Sequence, residues 1–338
     1  MLAPHIKKNV DNLWNRFWTA GITNPLVAVE QITYLLFLKR LEFIDNERVK
    51  KGRPSIYARK EIKDGKEVEV NYDNCRWRYI KQDKTPQHLI DVVFPWLRDL
   101  EKHLAKTSTP ANGIEAIGSR MSDAYFQLDP NKGAILQEAI EIIDALFERV
   151  DSVGASTDIM GDTFEYLLSE IATAGKNGQF RTPRHLIRCM VEMVDPQLGD
   201  HIIDPAAGTG GFLFSSLNYL LSKRTNPEQL RIEWDGTPHR VYGDLLTDEE
   251  DAIIHKGNYL VGFDNDRTMV RIGWMNMILH GIENPEIHQR DSLGKRKEND
   301  LLQSENFDVV LANPPFTGTV DSADMEASIF PKYSYSQI

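Results

Sequence analysis

The sequence predicts an α/β protein in two parts. A helical first part carries a small β-hairpin, and a mostly parallel sheet flanked by helices follows it. Three observations predict this. Apolar and aromatic residues recur at helical spacing through the first part of the chain. Beyond about residue 183, short apolar runs alternate with amphipathic stretches, as strands alternate with helices around a parallel sheet. Glycine-, aspartate- and proline-containing motifs stand at the ends of those apolar runs, where such sheets bind ligands.

The first helix is marked by Leu13, Trp14, Phe17 and Trp18, a stripe expected to lie in the core. A second follows Pro25 and carries Ile32, Leu35, Leu36, Leu38 and Leu41. Asp64-Gly65 between the alternating runs Ile62-Lys63 and Lys66-Glu67-Val68 predicts a hairpin. Helices are expected again over 88–104, 135–150 and 158–171. The small, glycine-rich stretch 172–178 reads as a linker, so the domains are expected at 1–171 and 172–338. In the second, helices are expected over 183–194, 212–221 and 267–279. Strands are expected over 201–204, 259–263, 286–289 and 307–312.

Composition bounds the possible functions. With 41% hydrophobic and 26% charged residues, the 338-residue chain is globular in type. The apolar stretch 32–41 is broken by Thr33, Lys39 and Arg40 and is too short to span a membrane, and the N-terminus has no signal pattern. Cys75 and Cys189 are far apart, which predicts a reduced, cytoplasmic chain with no structural zinc or other metal. A net charge of −11 argues against tight independent binding to a phosphate backbone. If the substrate is DNA, another subunit is expected to supply much of the grip. The basic runs 48–60 and Lys295-Arg296-Lys297 read more readily as solvated surface than as nucleic-acid contacts.

Four strand-end motifs carry chemistry. Asp204-Pro205-Ala206-Ala207-Gly208-Thr209-Gly210-Gly211-Phe212 joins a strand to a helix. Its glycines permit a tight turn and close approach of a ligand to backbone amides. It lacks the Gly-Lys-Ser/Thr of a phosphate loop, so nucleotide hydrolysis is not expected. Asp264 ends the next strand, placed either to accept from two ribose hydroxyls or to open the helix at Arg267. Asp291 follows the strand after that. It reads either as an acceptor for an adenine amino group or as a turn residue before Ser292-Leu293-Gly294. Asn313-Pro314-Pro315-Phe316 ends the last strand. Those four residues suit the capture of a planar amino group: the Asn313 side-chain oxygen and the Pro314 carbonyl as acceptors, and Phe316 stacked on an extruded base. They also read as a strand followed by a Pro-Pro turn.

The ordered set resembles the adenine-N6 DNA methyltransferases, most closely the modification subunits of type I restriction-modification systems. The glycine loop resembles that family's S-adenosylmethionine loop, and Asn313-Pro314-Pro315-Phe316 resembles its catalytic motif. Gly178-Gln179-Phe180-Arg181-Thr182-Pro183-Arg184 resembles the segment that closes over the methionine end of the cofactor. From the residues alone, Thr182-Pro183 is a helix start with Thr182 as N-cap. Leu13-Trp14, the run from Gln31 to Leu41, and Gly161-Asp162-Thr163-Phe164-Glu165-Tyr166-Leu167-Leu168 resemble the family's N-terminal helical domain.

The resemblance implies a Rossmann-like S-adenosylmethionine-dependent methyltransferase fold and transfer of a methyl group to adenine N6. Gln179, Phe180, Arg181, Thr182, Pro183 and Arg184 would line the methionine end with Thr209, Gly210 and Gly211. Asp204, Ala206 and Gly208 belong to the same cofactor loop, with Asp264 on the ribose and Asp291 on the adenine. The partners implied are double-stranded DNA with a flipped adenine, a specificity subunit, a second modification subunit and a restriction subunit.

Arg181 stands where the family usually has an aromatic residue, and Arg290 where a glycine is usual. The polar run 227–257 reads as an insertion. Family sheets normally continue beyond the catalytic motif, so the strand ending at Ala312 is expected to belong to a fragment or to be completed by a partner. The rival readings are a protein glutamine-N5 methyltransferase, which also uses an Asn-Pro-Pro-aromatic motif, and a non-catalytic assembly module for the specificity subunit.

Overall fold

The computed structural model describes residues 4–50, 52–63, 66–83, 85–100, 120–147, 163–164, 166–167, 182–232, 236, 238–239, 241–256, 259–282, 285–294 and 306–315. The chain divides into two compact units, Met1–Gln179 and Phe180–Ile338.

In the first unit, α1 (Pro4–Thr19) and α2 (Pro25–Lys50) are followed by an antiparallel hairpin of β1 (Ala58–Lys63) and β2 (Lys66–Asn71). Pairing of Lys63 with Lys66 leaves a two-residue connection, as the Asp-Gly signal predicts. The aromatic stripe of α1 is divided rather than wholly in the core. Leu13 and Phe17 are fully buried, whereas Trp18 is 40% exposed and stacks on Trp14. The middle of α2 is buried on every side, so its polar groups need internal partners. Gln31 finds them in the Tyr125 carbonyl (3.1 Å) and the Gln127 N–H (2.9 Å).

Beyond α3 (Trp77–Asp83), the helix expected over 88–104 is present through residue 98 but changes its pitch, and residues 101–104 lie outside the described residues. A short turn at Pro86–His88 leads into one π-turn, Leu89–Val93, and then Phe94–Arg98. Pro95 explains the π-turn: it has no N–H to donate, and its ring would strike the carbonyl one turn back, so the preceding turn widens. The unit continues through α4 (Gly133–Phe147).

The second unit holds a four-stranded parallel sheet of β3 (Ile202–Asp204), β6 (Leu260–Asp264), β7 (Glu286–Gln289) and β8 (Val309–Val310), in the order β7-β6-β3-β8. The chain runs outward from β3 to β6 and β7, then returns to the other side of β3 to form β8. The reversal opens a crevice beside the carboxyl ends of β3 and β8, where open α/β sheets bind ligands.

One sheet face carries the main core. There Ile202, Leu260 and Val309 pack with Ile187 and Val191 of α5 (Arg184–Val194), Phe212, Leu213 and Leu217 of α6 (Gly211–Ser222), and Val270 and Met277 of α8 (Arg267–Leu279). Ile203, Val261 and Phe263 point the opposite way, as period-two alternation requires, and pack with Phe307. The polar stretch between α6 and β6 folds as a small antiparallel ribbon, β4 (Arg231–Ile232) with β5 (Pro238–His239), and a helix, α7 (Asp248–Lys256). Buried Ile254 of α7 joins the main core, so this stretch is built into the unit. No helix among the described residues is long and apolar enough to cross a membrane.

Candidate active site

The carboxyl ends of the parallel strands bring the predicted motifs to one edge of the sheet. Asp204 ends β3 with 1% of its surface exposed, and its Oδ1 accepts from the Ala206 N–H at 3.0 Å. Burial raises its pKa to about 7. The Ala206 bond opposes that rise, and the neighbouring Asp264 charge adds to it.

The loop then turns over the sheet. Ala207 N–H donates to the Phe263 carbonyl at 2.8 Å, and Gly210 N–H to the Ala207 carbonyl at 2.8 Å. Gly210 adopts φ +81°, a left-handed geometry that costs glycine little, and α6 starts immediately after it without a side-chain cap. First-turn N–H groups of α6 therefore face the crevice edge with no side-chain acceptor from the capping residue.

Asp264 holds this loop. Its Oδ2 accepts from the Gly208 N–H at 2.9 Å and its Oδ1 from the Asp266 N–H at 2.9 Å. The Asn265 N–H is a third backbone donor to this carboxylate, and since a carboxylate has about four acceptor sites, about one remains for a ligand. Burial pushes its pKa upward as well. The helix at Arg267 is opened not by Asp264 but by Asp266, whose Oδ1 accepts from Thr268 and Met269 N–H at 2.7 and 3.3 Å.

Asp291, beyond β7, closes a turn through its Oδ1 and the Leu293 N–H at 2.9 Å. The preceding Arg290 lays its guanidinium over the Phe263 ring, 4.8 Å from the centroid, and gives its N–H to the Asp264 carbonyl at 2.9 Å. The Ser292 hydroxyl bonds the Pro205 carbonyl, tying this turn to the start of the glycine loop.

Across β3, the ladder continues past β8 through the Leu311 N–H on the Ile203 carbonyl at 3.0 Å. That delivers half-buried Asn313 and exposed Pro314 and Pro315 to the same edge. The Asn313 Nδ2 donates to the Thr182 hydroxyl at 2.8 Å. Thr182 is therefore not the helix cap expected from sequence. Helix α5 begins at Arg184, and the capping residue Pro183 makes no side-chain cap hydrogen bond. Gln179, Phe180, Arg181 and Phe316 lie outside the described residues.

Two supports were not visible in the motifs. Fully buried Asn276 of α8 donates from Nδ2 to the Thr209 carbonyl at 2.9 Å, locking the loop to the helix beneath it. Gly273, one turn earlier, lets the loop approach: a Cβ there would stand 2.9 Å from the Gly208 carbonyl oxygen. An isolated glycine and a lone amide in a mostly apolar helix are the signals that mark them. Among the described residues no His, Cys, Asp and Glu cluster suits a metal ion.

Comparison with known proteins points in the same direction. The N-6 DNA methylase family model matches residues 155–336, and the HsdM N-terminal domain model matches residues 6–143. The chain is 27% identical over 316 residues to the methylase subunit of the type I restriction enzyme EcoEI of Escherichia coli, covering 89% of this chain and 54% of that one. It is 34% identical over 188 residues to the StySPI methylase subunit of Salmonella potsdam, covering 54% of this chain and 32% of the relative. The chain thus spans about half, or less, of these relatives' length. A solved modification subunit from Vibrio vulnificus YJ016 shares the fold, with TM-score 0.62 and 22% identity over 93% of this chain and 62% of that one.

Proposed function

The chain belongs to the N-6 DNA methylase family, and from that premise we propose that it transfers a methyl group from S-adenosylmethionine to adenine N6 in double-stranded DNA. It acts as the modification subunit of a type I restriction-modification complex. The observation that carries the reading is the Asn313 amide at the switch-point crevice. Its N–H end is taken by Thr182, and its Oδ1 has no hydrogen bond among the described residues.

The exocyclic nitrogen of adenine is a poor nucleophile, because its lone pair is delocalised into the ring. Two acceptors on its hydrogens, Asn313 Oδ1 and the Pro314 carbonyl, draw it toward a tetrahedral geometry in which the lone pair can attack. Phe316 stacks on the flipped base and offsets part of the cost of unstacking it from the duplex. S-adenosylmethionine supplies a methyl group already activated by its sulfonium. The chain's task is therefore to position the amino group and stabilise it, with no nucleophile or metal of its own.

The glycine loop fits such a cofactor. The uncapped start of α6 suits the methionine carboxylate, and the remaining acceptor capacity of Asp264 suits a ribose hydroxyl. In this reading Gln179 to Arg184, Asp204, Ala206, Gly208, Thr209, Gly210 and Gly211 surround the cofactor, with the Thr182 hydroxyl turned to Asn313 rather than to the cofactor, and Asp291 accepts from its adenine. A specificity subunit reads the target, a second modification subunit completes the methyltransferase, and a restriction subunit joins for cleavage.

The experiment is Asn313→Ala in the assembled complex. S-adenosylmethionine affinity by calorimetry should stay within about threefold, while methyl incorporation into DNA falls by at least about 100-fold. Retained transfer overturns the assignment. Transfer to peptide glutamine instead of DNA supports the rival amide methyltransferase.

A further inference from the structure

We propose that Thr182 is a positioning residue that holds the Asn313 amide by its nitrogen while its oxygen meets the adenine amino group. The inference rests on the proposed methyl transfer to adenine N6. An asparagine side chain has nearly the same shape in its two orientations, related by half a turn about the terminal bond. Their chemistry is opposite. With Oδ1 forward, the adenine N–H finds an acceptor; with Nδ2 forward, two donors face each other and the amino group is not activated. A hydroxyl can meet either end of the amide, so the productive orientation needs a partner that accepts from the nitrogen once the oxygen is given to the adenine.

The structure offers one. Thr182 Oγ1 receives the Asn313 Nδ2 at 2.8 Å, and no other hydrogen bond fixes Asn313 among the described residues. Thr182 is free for this because α5 makes no use of its hydroxyl as a cap. A proline restrains the backbone of each partner. Pro183 succeeds Thr182 and Pro314 succeeds Asn313, and a residue before proline is confined to extended backbone. The β-branch of threonine restricts its own χ1 as well. Two side chains 131 residues apart thus meet with little freedom left to lose.

Thr182→Val removes the acceptor at constant shape, and Thr182→Ser restores it. In the assembled complex acting on unmodified target DNA, Thr182→Val should lower kcat about tenfold or more, the scale of one lost hydrogen bond plus a loosened amide. The dissociation constant for S-adenosylmethionine, by calorimetry, should stay within about twofold, which also reports that the unit is folded. Thr182→Ser should recover kcat to within about threefold. Unchanged kcat in Thr182→Val overturns the inference. So does a parallel loss of cofactor affinity, which assigns Thr182 to the cofactor, and so does failure of serine to rescue, which assigns it to packing. A wild-type complex that methylates no DNA adenine sinks the proposed function itself, and this inference falls with it.

Discussion

At Asp204, burial and a second carboxylate work against ionisation, and the consequence is measurable. Its pKa rises from 3.8 in the unfolded chain to about 7 in the folded one. Between those values the folded state keeps a proton that the unfolded state releases. The stabilisation is complete below about pH 4 and is lost as pH rises through about 7. Raising pH from 5 to 8 should therefore weaken the second unit by on the order of 2–3 kcal/mol through this group. Asp204→Asn keeps an oxygen for the Ala206 N–H and cannot ionise, so it should flatten the decline and exceed the wild type in stability at pH 8. Part of the slope should persist, because burial also raises the Asp264 pKa. Urea midpoints of both proteins at the two pH values test this; equal slopes would refute it. The same loop shows why a carboxylate's position in sequence does not state its task. Asp264 and Asp266 are two residues apart at one strand end, yet one holds the glycine loop and the other caps α8.

Helix α8 is an element selected for what passes over it. Alanine is worth about 1 kcal/mol more than glycine in a helix interior, so Gly273→Ala should favour the isolated helix. In the folded unit its Cβ would meet the Gly208 carbonyl oxygen at 2.9 Å and the Thr209 carbonyl carbon at 3.3 Å, both backbone atoms with no rotamer to change. The loop must lift, and Asn276 loses its line to the Thr209 carbonyl. Affinity for S-adenosylmethionine should fall at least about tenfold with helical circular dichroism unchanged, a cost typical of overpacking; unchanged affinity would show that the loop does not need this seat.

Elements with strong local rules were legible in the sequence. The hairpin announced itself by Asp64-Gly65, and α8 spans the residues its apolar pattern predicts. The helix expected over 88–104 holds through residue 98, but Pro95 widens one of its turns, which apolar periodicity does not state. At the candidate site, the strand-end motifs were readable because turn chemistry is local. The bonds Thr182–Asn313 and Asn276–Thr209 were not, because they join residues 131 and 67 positions apart, and no local rule states which side chain a fold will bring to meet another.

The whole molecule carries 39 basic and 50 acidic side chains, and its net charge of −11 sets a limit on how it meets DNA. Affinity for duplex DNA is dominated by phosphate neutralisation and falls with salt in proportion to the number of phosphates neutralised. A site that grips one extruded base through an amide oxygen, a proline carbonyl and an aromatic face neutralises none of them. In the proposed reading, the chemistry that selects the amino group is separate from the charge that retains the duplex, and the second is expected from elsewhere in the proposed assembly. The chain alone should bind a 30-base-pair duplex more weakly than about 10 µM at about 150 mM salt, with a shallow salt dependence. Joined to a specificity subunit, it should bind far more tightly, with a steep slope of log affinity against log salt contributed by that subunit. Fluorescence anisotropy of labelled DNA at several salt concentrations measures both. Submicromolar binding by the chain alone with a steep salt slope would contradict this division, and would direct attention to the Lys295-Arg296-Lys297 run that the sequence places between β7 and β8.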